Sequence, residues 1–342
     1  MWQHLDQLTK PPRSLGRLEA LAARLCAIQQ TLAPVTRPRR LVVFAADHGV
    51  VAEGVSAWPA EVTGLMVANI RGGGAASNVL ARTTETELRL VDVGSLADRA
   101  ECAGGVMADP AVAFRDARIG PGSHNLLHEP AVRPEEFARA LQIGREEARR
   151  AAEEGMAVVA CGEMGIGNTT AAACLTMLLA GVPLEDAVGR GAGADEAVLE
   201  RKRAVVGEAV ARVRREHAAG SEQAIAALAG LEILAMAGFF LEAREAGLTI
   251  VLDGYVTTAA ALIAETLAPG CAQSMLASHR SVEPGHRGAL EFLQLSPFLE
   301  WELRLGEGTG ALLLMPLIDA AAAICSQMRT FAELGIDSEP TG

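Results

Sequence analysis

Three stretches of this chain carry the residue types that reaction chemistry needs. Residues 162–174 read GEMGIGNTTAAAC, after a run of small apolar residues and at the start of an Ala-rich segment. Gly165 and Gly167 allow backbone N–H groups close to an anion, Thr169 and Thr170 offer hydroxyls, and a helix N-terminus adds positive potential. The stretch can therefore cradle a phosphate. A glycine turn capped by threonine would read the same way. Residues 189–203, GRGAGADEAVLERKR, supply a second glycine loop with Gly189, Gly191 and Gly193, Arg190 inside it and Lys202 on the helix that follows. Lysine is scarce: Lys10 and Lys202 are the only two among 30 basic residues. A coding bias toward Arg accounts for that, as does a need for a compact ammonium at two places. Lys202 is either a point charge for a phosphate or a solvated member of the ERKR run.

The third stretch, residues 305–323, reads LGEGTGALLLMPLIDAAAA. Glu307 stands between Gly306 and Gly308, just ahead of an apolar helix. A carboxylate there can simply favour the positive end of the helix. It can also be a general base, with the glycines clearing room for a ligand.

Other chemistries find less support. Residues 278–290 hold His279, Glu283 and His286 around a Pro-Gly turn, but in no standard metal-ligand spacing, and His124 with His128 sits in an irregular context beside Pro130; no metal is expected. No Gly-Lys-Ser/Thr phosphate loop and no G-x-S-x-G elbow occurs. A dehydrogenase fingerprint would need an acidic residue closing a strand about 20 residues after the glycines. Glu185 and Asp186 lie instead in a Pro-containing turn.

These loops need a scaffold. Half of the 342 residues are apolar and 21% are charged, a globular composition with ample core material. The net charge of −12, with no basic face, argues against nucleic acid. Short apolar runs at 41–47, 88–94, 157–163 and 248–254 read as strands buried on both faces. Helical segments at 134–154, 169–181, 196–216 and 222–246 alternate with them, which predicts a doubly wound, mainly parallel α/β sheet of Rossmann-like type. Each strand ends in a polar or acidic residue and Gly, at the carboxyl end where such sheets bind ligands. Residues 14–30 place Leu15, Leu18, Leu21, Leu25 and Ile28 on one helical face, with Ser14 as cap. Residues 95–130 read as an irregular excursion, and the polar tail after about 330 is expected to fray. Six scattered cysteines without a C-x-x-C and the lack of a signal-peptide pattern at the N-terminus point to a reduced, cytoplasmic protein. The apolar run 224–241 carries Glu232 at its centre, so it reads as a buried helix and no membrane is expected.

With these motifs assembled, the chain resembles the nicotinate-nucleotide–dimethylbenzimidazole phosphoribosyltransferases of cobalamin nucleotide-loop assembly. The resemblance rests on KPPRSLGRLE (10–19), FAADHGV (44–50), SAWPAEVTGLMVANIRGGGAASNVLA (56–81), GEMGIGNTTAAA (162–173), GRGAG (189–193) with Lys202, LDGYVTTAAALIA (252–264), SHRSVEPGH (278–286) and LRLGEGTGALL (303–313), in order over nearly the whole chain. It implies transfer of 5-phosphoribose from nicotinate mononucleotide to 5,6-dimethylbenzimidazole, giving nicotinate and α-ribazole 5′-phosphate, without metal or cofactor. It implies Glu307 as the base that takes the benzimidazole N–H proton and Glu163 as a carboxylate near the ribose; the helix N-terminus beside Glu307 is expected to depress its pKa. Gly165, Gly167, Asn168, Thr169 and Thr170 would hold the phosphate with Gly189, Arg190, Gly191 and Lys202. Trp58, Pro59 and Met66 would wall the slot for the base; Met66 is apolar where some relatives are polar, which bears on base preference. A large α/β domain (35–300), a small helical domain from both chain ends (1–34 with 301–342) and a homodimer whose neighbouring subunit closes each site are further implications. The rival readings are a nucleotide-binding oxidoreductase and a non-catalytic nucleotide or base sensor. Only the transferase predicts stabilisation by both the mononucleotide and the benzimidazole.

Overall fold

The computed structural model describes residues 1–96 and 107–336. Among the described residues six strands form one sheet: β1 (Arg39–Ala46), β2 (Glu87–Gly94), β3 (Val112–Asp116), β4 (Val158–Met164), β5 (Thr249–Leu252) and β6 (Met275–Ala277). Their spatial order is β3-β2-β1-β4-β5-β6, and every pairing is parallel. The chain works outward from β1 to β3, then crosses to the other side of β1 and works outward again. The order reverses between β1 and β4, so the crevice beyond the carboxyl ends of those two strands is where a ligand is expected.

The sheet is buried on both faces, which is why its strands read as continuous apolar runs. Along β1, Val42, Phe44 and Ala46 enter one core, while Leu41, Val43 and Ala45 enter the other. The first core is built with the helices Pro134–Glu153, Asn168–Leu179, Leu231–Glu245 and Tyr255–Leu267. Phe44 meets Phe239 edge to face, with ring centroids 6.2 Å apart. Pro134–Glu153 and Leu231–Glu245 cross so closely that a methyl on Gly144 would collide with the carbonyl of Ala235. The abundance of Gly over aromatic residues is put to use there.

The second core joins the two ends of the chain. Helix Arg17–Gln29 packs on helix Thr309–Gln327, with Leu21 and Leu25 against Leu314 and Ile318 in one cluster. His4 Nε2 lies 2.8 Å from the carbonyl of Cys325, and Leu8 pairs with Thr330. By length and composition Thr309–Gln327 is apolar enough to cross a membrane. Its Asp319, however, pairs with Arg39 at 2.9 Å, and Arg39 is buried at the start of β1.

Several local expectations need correction. The segment 222–246 is two helices, Glu222–Leu228 and Leu231–Glu245, because the chain is extended at Ala229 and Gly230. The N-cap of helix Arg17–Gln29 is Gly16; Ser14 is not the cap, and Glu19 accepts the amide of Leu15 at 2.9 Å. Leu15 is exposed. Glu19 also binds Lys10 at 2.9 Å, so one of the two lysines is a buried ion pair. The irregular excursion contains β3, whose residues are only half-buried at the sheet edge, and part of it lies outside the described residues. The tail is tied down as far as 336: the amide of Phe331 donates to Gln7 at 2.9 Å. Cys26, Cys161, Cys174, Cys271 and Cys325 are buried free thiols, and Cys102 lies outside the described residues.

Candidate active site

The expected crevice holds two functional ends. At one end β4 delivers Glu163, and the loop before helix Thr309–Gln327 delivers Glu307. The two are adjacent because Gly306, at φ +90°, packs its α-carbon on the Glu163 carboxyl, leaving no room for a side chain. Glu307 itself has φ +59°, an uncommon conformation for a residue with a side chain.

What holds this conformation is Asp253, at the end of β5. Its Oδ2 accepts the amide of Gly308 at 3.0 Å, and its Oδ1 accepts those of Gly310 at 2.7 Å and Ala311 at 3.3 Å. Asp253, and not Glu307, therefore occupies the positive end of the helix. Glu307 turns to Ser77 in the first turn of helix Ala76–Thr83, whose hydroxyl donates to Oε2 at 3.1 Å. The expected depression of the Glu307 pKa is overturned accordingly. Burial pushes it up, the Asp253 charge adds to the rise, and the Ser77 hydrogen bond only partly offsets them.

The same logic acts more strongly on its neighbours. Burial, followed by the charges of Asp253 and Glu232, pushes Glu163 up to about 8, against a hydrogen bond from Asn168. Burial raises Asp253 to about 7 despite its backbone hydrogen bonds. Three carboxyl groups thus share a site that cannot hold three full negative charges cheaply.

The other end is cationic. Lys202 is fully buried, which removes the reading of a solvated charge. Its ammonium donates to Thr169 Oγ1 at 2.8 Å and to the carbonyl of Gly189 at 3.2 Å, joining the two glycine loops. Burial lowers its pKa to about 8, with the Glu283 charge resisting. The Gly191 amide donates to Glu283 Oε1 at 2.8 Å, so a carboxylate already occupies one anion-binding N–H. Beneath the first glycine loop, His48 Nε2 and Glu232 Oε1 are 2.7 Å apart and fully buried. Burial alone would lower the His48 pKa; the Glu232 carboxylate outweighs it and raises it.

Of the residues expected in the site, Glu163, Gly165, Asn168, Thr169 and Gly191 line the cleft. Glu307 stands just behind Gly306, and Lys202 just behind Thr169. Gly167 serves the turn, as the left-handed N-cap of helix Asn168–Leu179 at φ +94°. Thr170 is wholly buried, so its hydroxyl does not face the cleft. Arg190 turns away, bonded to the carbonyl of Ala194 and to Glu196. Trp58, Pro59 and Met66 are outside the lining. Trp58 is 52% exposed and its indole N–H donates to the carbonyl of Ala192 at 3.1 Å, while Met66 packs on the second core.

Sequence reasoning missed Asp253, Ser77 and Arg304, the last a lining residue of the cleft. Asp253 closes a strand with a Gly after it, the pattern already noted, and that position was its signal. His286 has both ring nitrogens engaged, by Thr258 Oγ1 at 2.9 Å and by the amide of Ser281 at 2.9 Å. Burial accordingly holds its pKa down at about 3.

Comparisons with known proteins give the family. A phosphoribosyltransferase family model matches residues 1–336. The nicotinate-nucleotide–dimethylbenzimidazole phosphoribosyltransferase of Thermus thermophilus is 50% identical over 97% of this chain and 96% of its own length. The enzyme of the same name from Chromobacterium violaceum is 47% identical over 97% and 93%. A crystal structure of CobT from Thermus thermophilus superposes with a TM-score of 0.90 at 48% identity, covering 98% of this chain and 97% of that one. With a family model over residues 1–336 and relatives at 50% and 47% identity over 97% of its length, the chain belongs to the nicotinate-nucleotide–dimethylbenzimidazole phosphoribosyltransferase family.

Proposed function

We propose that this enzyme transfers 5-phosphoribose from nicotinate mononucleotide to 5,6-dimethylbenzimidazole, with Glu307 as the general base. The observation that carries the reading is the division of one cleft into a carboxylate end, Glu163 and Glu307, and a phosphate end, Lys202 with Thr169 and Gly191.

The chemistry asks for little more. The leaving group is a pyridinium nitrogen, which departs with the bonding pair as a neutral ring nitrogen and needs no proton. One nitrogen of the benzimidazole attacks the anomeric carbon while the other keeps its N–H. As the new bond forms, the ring becomes cationic and the N–H acidic. A single carboxylate that accepts the hydrogen bond and then the proton is sufficient. Burial makes Glu307 a stronger base than an exposed carboxylate, and the hydrogen bond from Ser77 orients it and favours its ionised form. Glu163, raised to about 8, holds a proton at neutral pH in the free enzyme. We assign it to ribose orientation; the arrival of a cationic pyridinium favours its ionised form, which then stabilises positive charge developing on the sugar.

We assign the slot for the base to the wall formed by segment 56–66. A homodimer fits the exposed Trp58, Leu65, Val79, Trp301 and Leu305, on segments that border the site. The testing experiment is a product assay without added metal. Equal amounts of nicotinate and the new nucleoside phosphate, both lost when dimethylbenzimidazole is omitted, support transfer. Nicotinate alone means hydrolysis, and no nicotinate overturns the reading.

A further inference from the structure

The cleft holds more acid than base. Glu163 and Glu283 line it, with Glu307 and Asp253 close behind. Of the cations, Lys202 is engaged at the phosphate end by Thr169 and Gly189. The other is Arg304, which lines the cleft beside Leu305 and Gly306, on the loop that delivers Glu307. Arg304 is exposed and has no hydrogen bond, ion pair or ring contact among the described residues. Nearby surface arginines are engaged: Arg190 with Glu196, and Arg280 with Glu300. A lining guanidinium left free on an otherwise acidic wall is a group waiting for an anion.

The mononucleotide carries two anionic groups, the phosphate on C5′ of the ribose and the carboxylate on the pyridine ring. Lys202 and the glycine loops answer the first. The second has to enter a cleft lined by Glu283 and backed by Glu307, and a like charge brought there without a partner is penalised. The planar fork of an arginine matches a carboxylate with two parallel hydrogen bonds, which a point charge cannot do.

We propose that Arg304 binds the ring carboxylate of nicotinate mononucleotide and so selects it over the uncharged nicotinamide mononucleotide. The inference rests on the phosphoribosyl-transfer reading and names the part of the substrate that Arg304 reads.

The test compares the wild type with Arg304→Gln and Arg304→Lys. Dissociation constants for nicotinate mononucleotide and nicotinamide mononucleotide are measured by calorimetry, and kcat/KM is measured for nicotinate mononucleotide with saturating dimethylbenzimidazole. The wild type is expected to bind the nicotinate form more tightly. Arg304→Gln should weaken the nicotinate form by about ten- to a hundredfold, the usual loss for a charge-assisted hydrogen bond, and leave the nicotinamide form unchanged. Arg304→Lys should recover part of the preference. Equal weakening of both mononucleotides would place Arg304 at the phosphate or in the loop and overturn the assignment, as would no weakening of either. A wild type that neither binds nicotinate mononucleotide nor releases nicotinate from it would instead overturn the transferase reading beneath it.

Discussion

The carboxylate of Asp253 accepts the amide of Gly308 at 3.0 Å, one residue beyond Glu307. That bond and its two companions to Gly310 and Ala311 fix the backbone from which the base projects. Asp253→Asn keeps the shape but sets an NH2 group against an N–H. Turnover should fall by roughly a hundredfold, the scale of a small misplacement of a reacting group. The KM for nicotinate mononucleotide should change little, because the phosphate end is held by other residues. Steady-state kinetics checks the split; a loss confined to KM would detach Asp253 from the base.

Glu307→Gln removes the proton acceptor and leaves the shape. Turnover should drop by roughly 10²–10⁴-fold, with calorimetric affinity for both substrates largely kept. Wild-type turnover in this variant would take Glu307 out of the role.

Ser77→Ala gives a finer probe of the same base. The Ser77 hydroxyl favours the ionised Glu307, so its loss raises the Glu307 pKa further. The acid limb of the kcat profile should move to higher pH, since the base must be ionised to act. A limb that stays in place, with the rate reduced at every pH, would mean Ser77 only packs.

Lys202→Met should separate function from stability. Mononucleotide affinity should weaken by about ten- to a hundredfold. The ligand-free protein should melt at a higher temperature, because burial already works against the charged ammonium, lowering its pKa to about 8. A lower melting temperature would show that the ammonium's bonds to Thr169 and Gly189 outweigh its burial.

The pH dependence of ligand-free stability follows from Glu163 and Asp253. Both have folded pKa values, about 8 and about 7, above those of the unfolded chain. In that window the folded state holds protons that the unfolded state has released, so their contribution falls as pH rises toward 8. Glu163→Gln should flatten part of the decline in melting temperature between about pH 5 and pH 8. An unchanged slope would assign the decline elsewhere.

The central strands and their helices were legible because burial on both faces leaves an unbroken apolar run. β3 and β6 were not: one is a half-buried edge strand and the other only three residues long, too little for a pattern. In the site, Glu307, Lys202 and the glycine loops were legible from local spacing. Asp253 and Ser77 were not recognised, because their importance comes from what the fold sets beside them, 54 and 230 positions from Glu307 along the chain. The Glu307 pKa was misread for the same reason. A helix end predicts a depressed value only while no other carboxylate has claimed it, and Asp253 had. Trp58 was singled out for a residue type suited to stacking; in the fold it is exposed and its indole N–H reaches the carbonyl of Ala192, a residue that lines the cleft.

The pairing of helix Arg17–Gln29 with helix Thr309–Gln327 has a consequence for how the protein is made. During synthesis the first helix emerges long before its partner, and its apolar side, Leu21 and Leu25 included, can find only part of its cover, on the sheet, until helix Thr309–Gln327 has been made. Glu307 arrives with that same segment, after the whole sheet has been translated. A nascent chain can therefore assemble the sheet and its phosphate loops before it has any base to catalyse with. Activity and the completed cover of the N-terminal helix both wait for the docking of the same late helix.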